Sequence, residues 1–296
     1  MYTQQDAAIA AERAAEALRN QFPELANRTP STAVILGMGW GAAIEAGALF
    51  VPLKTHVPGF EQLGELSGHA RRIGCVEIGG ELVLVQQGRV HLNEAFPGQE
   101  FEVNAMARLQ VEMAVLLGAK KFVLTAAVGG LGGAVSVGDL VIIESLLSLY
   151  APPFPLFGGE FCSPEDVLSD VLAREATLAF ADRALPYRAG ICHAMVRGPN
   201  FEGRKKDKGV LQGNRRNRSH GSSVGADVVG MSIQPELAVI AACSTNERPL
   251  CALALGFVTN NDAEAHSHSV NQERALKYAD RMSRGLRETL ERIVAL

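Results

Sequence analysis

The feature that limits this chain most is a pair of apolar runs around a cluster of glycines, KKFVLTAAVGGLGGAVSVGDLVIIES, residues 120–145. Phe122–Ala127 reads as one strand and Leu140–Ile143 as a second. An uninterrupted run of Val, Phe, Leu and Thr suits a strand covered on both faces, as in a sheet with helices on either side. In open α/β sheets, ligands bind outside the carboxyl ends of the strands. Here that end is Ala127-Val128-Gly129-Gly130, where the strand is expected to stop in a turn. Glycine lets the backbone approach a ligand because no Cβ stands in the way.

The rest of the chain alternates in the same way. Helical spacing of Ala, Ile and Leu predicts a helix over 4–21, and Met, Leu and Val form one stripe over 101–117. Ser163 is expected to cap a helix from Pro164 to Ala184, with Glu165 and Asp166 in its first turn. Pro235 sits in the first turn of another helix reaching Ser244, and 269–294 reads as one long closing helix. Further strands are expected at Ala33–Leu36, Glu81–Gln86, Tyr187–Val196 and Pro249–Val258, with a short strand and turn in 225–232. Residues 56–80 read as irregular. With no repeat and no boundary, the whole chain, 1–296, is expected to be one α/β domain. Residues 203–223 interrupt the pattern: seven Lys or Arg stand against one acid. That insert reads as a mobile surface loop, with a basic patch for a polyanion as the sharper alternative.

A net charge of −4 gives no reason to expect nucleic acid or an anionic membrane as partner. Five scattered cysteines with no CxxC pair read as buried small hydrophobes in a reduced, cytoplasmic protein. The N-terminus reads as an alanine-rich helix rather than a leader, and no apolar run is long enough to span a membrane.

Several loops carry groups suited to a ligand. Gly37-Met38-Gly39-Trp40-Gly41-Ala42 matches G-x-G-x-x-A, but only AAIEAG follows before Gly47 and Pro52. A dinucleotide unit needs a full crossover helix there. A loop whose amides cradle one phosphate, or a plain tight turn, fits better. His69 and the pair Arg71-Arg72 stand out in the irregular stretch. Arg89 and His91 leave a strand together, and a guanidinium matches phosphate geometry. Phe201-Glu202 in a Gly/Pro turn sets a stacking surface beside an acceptor, as needed to hold a planar heterocycle. The Phe-rich loop 151–162 reads as a lid, a subunit contact or local packing. His266 and His268 form an H-x-H pair, which alone is weak evidence for a metal, and no metal site is expected.

Taken together, GMGWG, SGHARR, QGRVHLNE, TAAVGG, GPNFEG, GADVVGMSIQPE and TNN resemble, in order and spacing, the trimeric purine nucleoside phosphorylases and the sibling methylthioadenosine phosphorylases. The likeness runs from about residue 30 to 275. It implies one α/β domain around a mixed, partly barrel-like sheet flanked by helices, and a homotrimer. It also implies that phosphate meets the Gly37–Gly41 loop, with Gly39, together with His69, Arg89, His91, Ala127 and Ser232. Phe201 would stack on the purine, Glu202 and Asn260 would bond its edge, and Met231 would lie under the ribose. Either His266 or His268 would reach the ribose 5′-hydroxyl.

The implied reaction is phosphorolysis of a purine nucleoside to free base and (deoxy)ribose 1-phosphate, with no cofactor beyond inorganic phosphate. Glu202 accepting from N1–H favours 6-oxopurines, whereas a carboxylate at Asp262 suits an exocyclic amine and so a methylthioadenosine-type substrate. Met38 stands where the family usually has a phosphate-binding serine, Ala126 where it has asparagine, and Asn93 where it has tyrosine. These departures keep open a third reading, a nucleoside-binding protein with weakened catalysis.

Overall fold

The computed structural model describes residues 3–44, 49–95, 98–148, 155–157, 159–198, 207–213, 225–261 and 268–296. Its strands are β1 (Thr32–Leu36), β2 (Phe50–Pro52), β3 (Arg72–Ile78), β4 (Glu81–Gln87), β5 (Lys121–Gly130), β6 (Leu140–Leu147), β7 (Tyr187–Met195), β8 (Val228–Gly230) and β9 (Cys251–Asn260). Its α-helices are α1 (Gln4–Gln21), α2 (Leu53–His56), α3 (Glu100–Leu116), α4 (Asp170–Asp182), α5 (Asp207–Gln212), α6 (Gln234–Cys243), α7 (His268–Lys277) and α8 (Ala279–Val294). The strands form one mixed sheet in the order β2-β3-β4-β1-β5-β8-β7-β6-β9. β5 also pairs with β9, so β5, β8, β7, β6 and β9 close into a ring. The sheet is therefore part open and part barrel, with helices on both faces.

Period-two alternation sorts the strand side chains between the two faces. Phe122, Leu124, Ala126 and Val128 of β5 enter a core under α1, α3 and α6, together with Ala33 and Ile35 of β1. Val34, Leu36 and Val123 enter the opposite core, beneath α4 and α8. The inward stripe of α8 recurs at helical spacing: Met282, Leu286, Leu290 and Ile293 are buried, while intervening positions carry charge. Thr3 starts α1 with a reciprocal capping box to Asp6, which satisfies donors that the first turn leaves open.

β1, β4, β5 and β9 run parallel, in neighbouring registers. Their carboxyl ends, at Leu36, Gln87, Gly130 and Asn260, therefore lie on one edge of the sheet. The loops leaving that edge carry most of the residues singled out from the sequence.

Five expectations need correction. β5 does not stop at Ala127: it continues through Gly129 and Gly130, which pair with β8, and Gly129 also pairs, past an irregularity at Val128/Gly129, with Asn260 of β9. Residues 56–80 are not all irregular, because β3 pairs antiparallel with β4 along its length. Ser163 makes no side-chain cap; residues 164–167 are a short 3₁₀ turn, and Ser169 caps α4 by accepting from the Leu172 amide. The closing helix is two helices that meet at Tyr278. The basic insert is not wholly a loop: it contains α5, whose Leu211 is buried against Leu131, Ala194, Ala226 and Val229. The remainder of 203–223 lies outside the described residues.

Candidate active site

A cavity of about 300 Å³ opens at the carboxyl edge of the parallel strands. Gly37 and Met38 follow β1, Arg89 and His91 follow β4, Ala126–Gly130 end β5, and Thr259 and Asn260 end β9. His69, Gly230, Met231 and Ser232 complete much of its wall. Seven residues chosen from the sequence, His69, Arg89, His91, Ala127, Met231, Ser232 and Asn260, are thus brought to one place.

Gly39 is not among them. Its φ is +82°, and a Cβ there would stand 2.7 Å from Ala275 Cβ and 2.9 Å from Met282 Cε. Its role in this structure is to let α7 and α8 close onto the loop. The neighbouring amides are also engaged within the protein: Gly37 N–H donates to Thr125 Oγ1 at 2.9 Å, and Trp40 N–H to the Gly37 carbonyl at 3.3 Å. Phe201, Glu202, Asp262 and His266 lie outside the described residues, as does the side chain of His268 at the start of α7.

His69 and His91 face each other. Their Nε2 atoms are 3.3 Å apart and the rings meet edge to face. The Arg89 amide donates to His69 Nδ1 at 3.4 Å. With Nδ1 accepting, a neutral His69 carries its proton on Nε2, aimed at His91. Behind His91, its own amide donates to Glu94 Oε1 at 2.7 Å, and the other Glu94 oxygen pairs with Arg71. Arg71 is buried with φ +50°, and its guanidinium also donates to the Gly64 carbonyl. The sequence marked Arg71 without revealing that it braces the histidine turn.

Arg89 is only 1% exposed. Its guanidinium donates to the carbonyls of Ile35 and Thr125 and pairs with Glu236 at 3.2 Å. Glu236, in the first turn of α6, is equally buried, and among the described residues both its oxygens lack a hydrogen bond, as do Arg89 Nε and Nη1. Burial lowers the Arg89 pKa from its usual value, against the opposing pull of Glu236. His193 on β7 shares this buried region, with Nε2 2.8 Å from where a Cβ on Gly230 would stand. Burial first, and the Arg89 charge second, push its pKa down to about 3, so it is neutral. Neither of its ring nitrogens has a hydrogen-bond partner among the described residues. Arg89 lines the cavity, but in this structure its guanidinium is engaged by two carbonyls and Glu236 rather than presented whole to an anion.

Two backbone details set the remaining polar groups. Ile233, just after Ser232, has φ 78° and ψ −56°, a γ-turn geometry strained for a β-branched residue. That turn joins Ser232 to the N-terminus of α6. At the end of β9, Thr259 Oγ1 donates to Asn260 Oδ1 at 3.1 Å, which fixes the amide plane. Gly129 leaves room for this amide, since a Cβ there would lie 3.3 Å from Asn260 Nδ2.

Leu66, Val196, Thr259 and Asn271 also line the cavity and were not found from the sequence. Met38 and Asn93, noted as departures, line it too. In the 151–162 loop, Phe157 packs locally over the Arg108 guanidinium, whereas Phe161 is 95% exposed. Cys75 and Cys243 thiols are raised to about 12 and about 11, chiefly by burial, so they stay protonated. Among the described residues no cluster of His, Cys, Asp and Glu is arranged to hold a metal, and no helix is long and apolar enough to cross a membrane.

Residues 31–295 match the family model described as the phosphorylase superfamily. The purine nucleoside phosphorylase of Mycobacterium tuberculosis is 33% identical over 251 residues, 83% of each chain. A Schizosaccharomyces pombe protein described as a putative purine nucleoside phosphorylase is 29% identical over 268 residues, 86% of this chain and 77% of its own. A Schistosoma mansoni purine nucleoside phosphorylase bound to cytosine and ribose-1-phosphate superposes with a TM-score of 0.76 at 22% identity, covering 96% of both chains. The part-open, part-closed sheet, the loops meeting at its carboxyl edge and a match running nearly end to end lead to one conclusion: this chain belongs to the phosphorylase superfamily.

Proposed function

We propose that this protein phosphorolyses purine nucleosides to the free base and ribose 1-phosphate. One observation carries the reading: the ends of β1, β4, β5 and β9, with the Met231-Ser232 turn, converge on a single cavity. The reaction breaks the bond from ribose C1′ to purine N9 and forms one from C1′ to a phosphate oxygen. The bonding pair leaves with the base, which takes up a proton, while positive charge builds on the sugar. A phosphate held close below C1′ serves as both nucleophile and counter-charge. Here His69, His91 and Ser232 would hold it, with the Arg89 charge alongside. Asn260 would stabilise the departing ring at N7. Glu202 and Phe201 take their roles at the purine from the family resemblance, and so does the preference for 6-oxopurines over amino-substituted ones.

The test is incubation with inosine, guanosine, adenosine and methylthioadenosine, with and without phosphate. Phosphate-dependent release of base and ribose 1-phosphate is expected, with the first two favoured. Release of no base from any of them overturns the reading. Met38 in the cavity wall supports a second reading, nucleoside binding with poor phosphate capture. Calorimetry separates the two: nucleoside binding with neither phosphate binding nor turnover favours the second. A homotrimer is also proposed, supported by the bare Phe161 ring beside the packed Phe157. A monomeric mass by light scattering would refute it.

A further inference from the structure

α7 is fastened over the cavity at three points. Gln272 accepts from Ser67 Oγ at 3.2 Å, Arg274 donates to the Thr259 carbonyl at 2.8 Å, and Ala275 lies against Gly39. The face turned inward carries Asn271, Arg274, Ala275, Tyr278 and, across the break, Met282, spaced as one helical stripe. Ala275 and Met282 are buried and Tyr278 packs on Phe257. Asn271, one turn before Ala275, is the member of this stripe that lines the cavity. Its Oδ1 is buried and makes no hydrogen bond among the described residues.

An apolar residue would fill such a position without the penalty of an unmatched acceptor. A polar group kept there and turned into a ligand cavity is explained by a ligand that completes it. We infer that the Asn271 amide hydrogen-bonds a sugar hydroxyl of the bound nucleoside and makes this cavity select for that hydroxyl. A hydroxyl both donates and accepts, so it satisfies the amide in either orientation of its oxygen and nitrogen. Inorganic phosphate offers mostly anionic acceptor oxygens and only one or two P–OH donors, so it matches a buried Oδ1 less well than a sugar hydroxyl does. This assignment rests on the nucleoside reading of the site but names a contact from a residue that none of the sequence motifs includes.

The experiment compares wild type with Asn271→Leu, measuring affinities by calorimetry and turnover separately. Ligands are inosine and its 2′-, 3′- and 5′-deoxy analogues. Inosine affinity is expected to fall about tenfold in the variant, the loss of one well-placed hydrogen bond. For one deoxy analogue, the one lacking the partner hydroxyl, wild type and variant are expected to agree within about twofold. The melting temperature is expected to hold or rise, since leucine removes an unmatched polar atom from an apolar stripe. An equal loss on all four ligands, no loss on any, or no nucleoside binding by wild type overturns the inference. Nucleoside binding without turnover would instead sink phosphorolysis and leave the Asn271 comparison readable.

Discussion

Two buried arginines in this protein sit in opposite circumstances. Arg108, on α3, is fully matched: it bonds Glu112, both oxygens of Glu160 and the Pro155 carbonyl, and Phe157 stacks over it. Burial alone would lower its pKa, but Glu160 and Glu112 outweigh that and the net shift is upward. Arg89, in the cavity wall, has one carboxylate at 3.2 Å, two nitrogens unmatched among the described residues and a neutral histidine for company, and its shift is downward. Arg108 closes a clamp between α3 and the loop at 155–160. Arg89 and Glu236 form a charged floor whose hydrogen bonds are unfinished. A complete polar cluster rigidifies a fold, whereas an incomplete one in a cavity wall marks where a ligand or water finishes the set.

The largest effect that tests this contrast is Arg89→Ala. It strands Glu236 in the interior, and breaking a buried pair in this way costs about 3–5 kcal/mol. Urea unfolding should show that loss, and the double variant Arg89→Ala/Glu236→Leu should recover part of it. Additive losses would mean that the two groups do not depend on each other.

Acid titration comes next. His193 is neutral in the folded state at pH values where the unfolded chain already binds a proton. Its contribution is complete above about pH 6.5 and drains away as pH falls toward about 3, at roughly 1.4 kcal/mol per pH unit. His193→Leu should flatten the stability profile across that window, and an unchanged slope would place the acid sensitivity elsewhere.

Arg108→Met should cost about 2 kcal/mol, less than Arg89→Ala because its carboxylate partners keep some contact with water. Phosphorolysis should stay within about twofold, since this clamp does not line the cavity. A large fall in turnover with little loss of stability would erase the distinction between clamp and floor. Ile233→Gly probes the turn that carries Ser232. It relieves the strained backbone but removes a side chain buried in the core, so a net loss of about 2–4 kcal/mol is expected. The Michaelis constant for phosphate should still rise several-fold as Ser232 loosens, and an unchanged value would separate the strain from the site.

Much of this was legible along the chain because it depends on neighbours in sequence. The stripes of α1 and α3 and the apolar runs of β1 and β5 follow local periodicity, and the strand exits named the cavity loops. Local signals misled where a partner decided the outcome. Gly129 and Gly130 look like a terminus, yet β8 and β9 hold them in the sheet. Arg72–Ile78 looks irregular with its glycine and charges, yet β4 supplies a full ladder. Nothing local to Arg89 shows that Glu236, distant in sequence, engages its guanidinium. Asn271 was hidden in a helix read as plain closure; the one available hint was an asparagine on an otherwise inward-packing stripe.

The closed half of the sheet has a consequence for how copies of this protein meet. Ring closure leaves β2, with the stretch of β3 beyond it, as the sheet's terminal strand among the described residues, while β6 past Ile143 and β7 before His193 are each paired with a strand on one side only. β2 has three residues, and the last, Pro52, has no amide hydrogen to offer. The terminal edge itself is thus a poor template for adding a foreign strand, which turns self-association through that edge toward side-chain surfaces and works against fibrous growth from it.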